Sequence, residues 1–114
     1  MKPISVLIAD DHLVVRTGLR YLLEPLEDVE LAGEAVNGRD AVEMAAKLQP
    51  AIVIADIAMP ILNGIDATAQ IVKQNPKIGV ILLSMHFDES YLLRALTAGA
   101  KGYLLKESAE ADVP

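Results

Sequence analysis

Five polar positions break an otherwise apolar pattern, and each follows directly on a short apolar stretch: Asp10 and Asp11 after Ile4 to Ala9, Asp56 after Ala51 to Ala55, Ser84 after Val80 to Leu83, and Lys106 after Lys101 to Leu105. If those stretches are strands of one parallel sheet, the polar residues share one rim. Three carboxylates gathered there repel, a pair about 4 Å apart costing roughly 4 kcal/mol at an effective dielectric of about 20. Relief comes from protonation of one acid or from a bound cation, and an all-oxygen set suits a hard ion such as magnesium. Magnesium keeps several waters and takes a phosphate oxygen as a further ligand, so the cluster suits phosphoryl chemistry. Lys106 adds a positive point charge, as a partner for Asp56 or for an incoming phosphoryl group.

Each residue also has a plainer reading. Asp11 could cap the helix that starts near His12, Asp56 could open the turn before Pro60, and Lys106 could be a solvated edge residue. Taken singly, those readings are the better ones; taken together, the convergence on one rim outweighs them. Ser84 alone reads as a strand-end hydroxyl, Tyr103 equally as core packing, and His12 and His86 as solvated loop histidines.

The elements that must position these residues follow from periodicity. Ile4 to Ala9, Ala51 to Ala55 and Val80 to Leu83 are continuous apolar runs, as in strands buried on both faces of a parallel sheet. Val29 to Val36 alternates, with Glu30 and Glu34 opposite Val29, Leu31 and Ala35, which predicts an edge strand with one partly wet face. Lys101 to Leu105, introduced by Gly99, predicts the other edge. Between them Leu13 to Leu23, Arg39 to Leu48, Ile65 to Gln74 and Glu89 to Ala98 carry apolar residues three and four apart, as helices covering a sheet do. Asn37-Gly38, Pro50, Asn63-Gly64, Asn75-Pro76 and Gly99 supply starts and stops. Right-handed crossovers then predict a doubly wound, five-stranded parallel α/β sheet of order 2-1-3-4-5, flavodoxin-like, whose switch in winding lies between the first and third strands. Asp10, Asp11 and Asp56 flank that crevice.

A chain of 114 residues, 53% hydrophobic and 23% charged, has material for one core and no second domain. Its net charge of -6 repels phosphate backbones, so direct nucleic-acid binding by this piece is not expected. The absence of cysteine excludes disulfides and thiolate metal sites, and Asp10 and Asp11 cut the first apolar run too short for a signal peptide or membrane span. These features together predict a cytoplasmic protein without membrane contact.

Asp10-Asp11, Asp56-Ile57-Ala58-Met59-Pro60 with Gly64 behind it, Ser84 ending its strand, and Gly99-Ala100-Lys101-Gly102-Tyr103-Leu104-Leu105-Lys106 together resemble a response-regulator receiver domain (CheY-like) over nearly the whole chain. Asp10-Asp11-His12, Arg16-Thr17-Gly18-Leu19 and Leu83-Ser84-Met85-His86 look like the NarL/FixJ (LuxR-type) subfamily, whose members usually carry a C-terminal helix-turn-helix domain. The resemblance implies that Asp56 takes a phosphoryl group from a sensor histidine kinase. It implies that magnesium is held by Asp11, Asp56 and the backbone carbonyl of Ala58, with Asp10 acting partly through water. Ser84 and Lys106 would bind phosphoryl oxygens, and Tyr103 would be the aromatic whose rotamer follows Ser84. The domain would be regulatory and not an enzyme, assisting its own phosphorylation and dephosphorylation.

Ser84 stands where threonine is frequent, and Met85 is bulky where many receivers have a small residue. A fifth helix would have only Glu107 to Val113, so a short or truncated one is expected, leaving apolar surface that invites a homodimer. A DNA-binding output domain is expected in the full-length protein, with Tyr91, Leu92, Ala95, Lys101 and Tyr103 as the candidate output face, Leu92 and Ala95 reading equally as core. Two alternatives stand beside this reading: a stand-alone single-domain regulator, and a magnesium-dependent aspartyl-phosphate phosphohydrolase. Members of the latter usually carry their two acids two residues apart after the first strand, whereas Asp10 and Asp11 are adjacent.

Overall fold

The computed structural model describes residues 3–85 and 88–105. Strands and helices alternate along it: β1 (Ile4–Ala9), α1 (Leu13–Leu23), β2 (Val29–Ala35), α2 (Gly38–Leu48), β3 (Ile52–Asp56), α3 (Gly64–Gln74), β4 (Gly79–Ser84), α4 (Glu89–Ala98) and β5 (Gly102–Leu105). All pairings are parallel and the strand order is β2-β1-β3-β4-β5, as the alternation of apolar runs predicts. β1 and α1, and α4 at its start and end, fall on the expected residues. β3 and β4 run one residue further than expected, so that Asp56 and Ser84 are the last residues of their strands.

Continuous apolar runs become central strands because both of their faces are covered. Leu7, Ile8, Val53, Val80 and Leu82 have no exposed surface. On one face α2, α3 and α4 pack in succession, contributing Ala41, Ala45, Ile65, Ile71 and Ala95 to a single core cluster. α1 contributes nothing to that cluster and packs against β1 and β2. It has no buried residue, and Val14 and Tyr21 are 83% and 76% exposed. The expected short fifth helix, Glu107 to Val113, lies outside the described residues.

Of the two readings open for Ala95 in the candidate output face, the core one holds. Ala95 is fully buried against the sheet, and the apolar residues that α4 and β5 expose are Tyr91, Leu93, Leu96 and Leu104. The inward stripe of α4 passes through Ala95, so residues 93 and 96 point away from the core. Leu92 is half-buried.

Helix starts are set by short polar side chains. Asn37 accepts a hydrogen bond from the Asp40 amide at 2.8 Å, and Asn63 accepts one from the Asp66 amide at 2.9 Å. Each asparagine returns its own amide to the same aspartate's carboxylate, a reciprocal cap. Asp88 accepts hydrogen bonds from the amides of Ser90 and Tyr91 at the start of α4, and the Ser90 hydroxyl and amide hold its carboxyl below the usual range. In linkage terms this depressed carboxyl adds stability above its unfolded value of 3.8, lost as pH falls through its lower folded value.

The loop from Ile57 to Asn63 is drawn tightly onto the carboxyl end of the central strands. The Gly64 amide donates to the Ile57 carbonyl at 2.8 Å, and the Ile57 amide to the Leu83 carbonyl at 3.0 Å. A Cβ on Gly64 would lie 2.2 Å from the Asp56 carbonyl oxygen, so this approach is open only to glycine. At the loop's apex the Leu62 amide donates to the Pro60 carbonyl at 2.7 Å while Ile61 has φ 71°, a γ-turn of the strained hand centred on a β-branched residue.

Two outcomes follow from this loop. Gly64→Ala forces β3 and α3 apart and should lower the unfolding free energy by about 2–4 kcal/mol in urea denaturation, on the scale of overpacking against backbone. Ile61→Gly should raise it by about 0.5–1 kcal/mol, since relief of the left-handed strain exceeds the added chain entropy; little packing is lost, because Ile61 is 74% exposed.

Candidate functional site

The register of the sheet brings two of the acids level. β1 pairs with β3 through Ala9 and Ala55, so the next residues, Asp10 and Asp56, leave neighbouring strands side by side. Asp10 is fully buried and Asp56 is 2% exposed. The Asp10 amide donates to the Ala35 carbonyl at 3.0 Å, which keeps the chain parallel to β2 one residue past the end of β1. Asp11 then turns outward, its side chain about a third exposed. Asp56 Oδ1 accepts the Ala58 amide at 3.2 Å, so the turn reading of Asp56 also holds, together with its place on the rim.

Asp11 does not cap α1. The N-cap position is His12, which makes no side-chain capping bond, and its amide donates to Asp10 Oδ1 at 2.8 Å. His12 Nδ1 sits 3.2 Å from Asp10 Oδ1 and 3.1 Å from Asp11 Oδ1, while the ring as a whole is mostly exposed. One ligand atom from each of Asp10, Asp11, His12 and Asp56 lies within 4.8 Å of all the others. The all-oxygen expectation is therefore extended by one imidazole, whose proximity follows from the turn that places residue 12 over both preceding carboxylates. As a donor set, three carboxylate groups with a neighbouring backbone loop fit a hard divalent cation, and this cluster could hold one.

An open cleft of about 660 Å³ lies beside Asp56, lined also by His12, Val14, Ala58, Ser84 and Met85 among others. Ser84 is buried at the end of β4, and Met85 after it is exposed and lines the cleft. The far wall carries Tyr91 and Arg94 of α4, the guanidinium lying 5.8 Å from the ring centre. Tyr103 pairs with Leu82 in the sheet and packs, half-buried, against the core cluster. Lys106 lies outside the described residues. Asp10, Asp11, Asp56, Ala58 and Ser84 are thus brought to one end of the sheet, and Tyr103 to the strand beside it.

Sequence reasoning missed a second layer. On the partly wet face of β2, Glu34 is half-buried because Arg16 and Arg20, one helical turn apart on α1, both reach it: Arg16 Nε at 3.2 Å and Arg20 Nη1 at 2.9 Å. Arg16 Nη1 also donates to the Asp10 backbone carbonyl at 2.6 Å. The four-residue spacing of the two arginines was a readable signal; its partner in β2 was not.

No helix among the described residues is long and apolar enough to cross a membrane. The response-regulator receiver domain family matches residues 6–114. The chain is 36% identical over 111 residues to the response regulator protein VraR of Staphylococcus saprophyticus, covering 97% of this chain and 53% of that protein. It is 39% identical over 104 residues to the transcriptional regulatory protein DegU of Brevibacillus brevis, covering 91% and 44% respectively. The chain therefore spans about half the length of these relatives. Among solved structures, a LuxR-family two-component response regulator from an Aurantimonas species superposes with a TM-score of 0.90 at 30% identity, over 98% of this chain and 80% of that one. Strand order, rim acids and relatives agree, and the chain belongs to the response-regulator receiver domains, in their NarL/FixJ (LuxR-type) branch.

Proposed function

We propose that Asp56 is the phosphoryl acceptor of a two-component signalling pathway, served by magnesium bound at the rim acids. The observation that carries this reading is the gathering of Asp10, Asp11 and Asp56, two of them buried, within 4.8 Å, beside a cleft lined by Asp56 and Ser84. Asp11, Asp56 and the Ala58 carbonyl would hold the ion, with Asp10 acting partly through water. When bound, it offsets the charge of the acids and polarises the transferring phosphoryl group.

A carboxylate oxygen of Asp56 attacks the phosphorus of a phosphohistidine on a sensor kinase; the new O–P bond forms as the N–P bond breaks. The departing imidazole keeps the electron pair and takes a proton from solvent. No protein base is required, because a carboxylate nucleophile has no proton to lose on attack and transfer rests on positioning and charge. Ser84 donates its hydroxyl to a phosphoryl oxygen, and Lys106 pairs with another. The acyl phosphate adds roughly one to two negative charges. Tyr103, on the strand next to Ser84, follows that hydroxyl, and the exposed surface of α4 and β5 reports the change. This role is regulatory, with the chain's own residues assisting both gain and loss of the group.

The relatives named as regulators are about twice as long as this chain, which supports a full-length protein that joins this receiver to a helix-turn-helix domain and controls transcription from the cytoplasm. The homodimer reading rests on the exposed apolar side of α1.

Incubation with magnesium and acetyl phosphate, or with a cognate phosphorylated kinase, should add one phosphoryl group per chain by intact-mass measurement. Asp56→Asn should add none. A labelled Asp56→Asn protein, or turnover of a generic phosphate ester with no labelled chain, would redirect the assignment. Chelation of divalent ions should slow labelling by about a hundredfold or more, the scale of losing a principal electrostatic stabiliser, and added magnesium should restore it.

A further inference from the structure

We infer that Arg16 is a positioning residue for the metal site, acting through the peptide that joins Asp10 to Asp11. The inference rests on reading the rim acids as that site. Asp10 lies beyond the last residue of β1, where a strand's hydrogen-bond ladder ends and a carbonyl ordinarily turns to water. Here both sides of the residue are fixed: its amide donates to Ala35 at 3.0 Å, and its carbonyl accepts Arg16 Nη1 at 2.6 Å. That carbonyl belongs to the peptide plane whose nitrogen is Asp11's. Its orientation therefore sets the direction in which the Asp11 carboxylate leaves the backbone.

The guanidinium is fixed in turn. Its Nε meets Glu34 Oε1 at 3.2 Å, and the second oxygen of the same carboxylate takes Arg20 Nη1 at 2.9 Å. The Arg16 side chain is only 13% exposed, which holds the fork in one geometry. Arg20 also meets Glu24 at 3.4 Å, so two cations face two anions and the network is close to neutral. A neutral network has little charge with which to repel a metal ion. Its effect on the acids is geometric, and this fixes the sign: losing Arg16 should weaken metal binding by loosening Asp11, where a bare nearby cation would strengthen binding on removal.

The test is a titration of the 114-residue chain with Mn2+ as a spectroscopic probe, reading free ion by its EPR signal, with no phosphodonor present. Melting temperature in chelator is recorded beside it. Arg16→Ala should weaken Mn2+ binding about tenfold, the usual scale for residues that orient ligands. Arg16→Lys keeps the charge but cannot span the Asp10 carbonyl and Glu34 together, so it should fall between. Glu34→Gln, which leaves Arg16 in the chain, should weaken binding in the same direction, and the double variant should be no weaker than Arg16→Ala. Arg16→Ala that binds Mn2+ like the parent while melting lower would overturn the inference and leave a purely structural clamp. Tighter binding would overturn it too, as would an Arg16→Lys chain equal to the parent. Should the parent bind no Mn2+, or bind it unchanged in Asp56→Asn, the metal reading of the acids fails and this inference with it; failure of Arg16 alone leaves that reading standing.

Discussion

Carboxylates within 4.8 Å of one another repel, and two of the three here are removed from water. A flexible chain would let them separate, so their closeness has to be imposed by something stiffer than the repulsion. The parallel sheet supplies it. Leu7, Ile8 and Val53 are sealed between layers, and the register that pairs Ala9 with Ala55 leaves Asp10 and Asp56 no route apart short of unpairing β1 from β3. Stability made by apolar burial in the middle of the sheet thereby holds the acids close together at its end.

The loops that finish the site are tightened by backbone contacts as well as side chains. Gly64 lets the start of α3 close against the Asp56 carbonyl, and Gly38 lets the start of α2 close against the Leu62 carbonyl, where a Cβ would lie 1.9 Å from the oxygen. The Ile57–Asn63 loop is thus pinned at two places, and the distortion left over falls on Ile61 at its exposed apex. Strain placed there costs stability without disturbing the acids, since the γ-turn and Asp56 are separated by the pinned segment.

Much of this was legible because burial writes directly on composition. A strand covered on both faces must be apolar throughout, so β1, β3 and β4 show as runs, and the polar residue that ends each run marks the rim. Asn37 and Asn63 declare their helices by capping chemistry. The legible part of the site is the part whose residues lie at strand ends. What could not be read depends on tertiary pairing: Glu34 has the spacing of a wet-face residue until two arginines of α1 are seen to cover it. Ala95 and Leu93 are two apolar residues on one helix, and only the sheet decides which of them is core. His12 follows two aspartates in sequence, but its ring meets both only because the chain turns at Asp11.

The choice of a backbone carbonyl as the target of Arg16 has a consequence for the acids themselves. A guanidinium forked onto Asp10 or Asp11 would have met their charge with two parallel hydrogen bonds and occupied the lone pairs that a cation needs. By binding Glu34 and the Asp10 carbonyl, Arg16 ties α1, β2 and the end of β1 together without itself pairing with the Asp10 or Asp11 carboxylate. Glu34, shared by Arg16 and Arg20, absorbs the positive charge that would otherwise compete at that rim. Rigidity and negative potential normally oppose each other in a cluster of acids, because the cheapest way to hold a carboxylate is to pair it with a cation. Holding the peptide between two of them lets Arg16 fix their direction without itself pairing with either carboxylate.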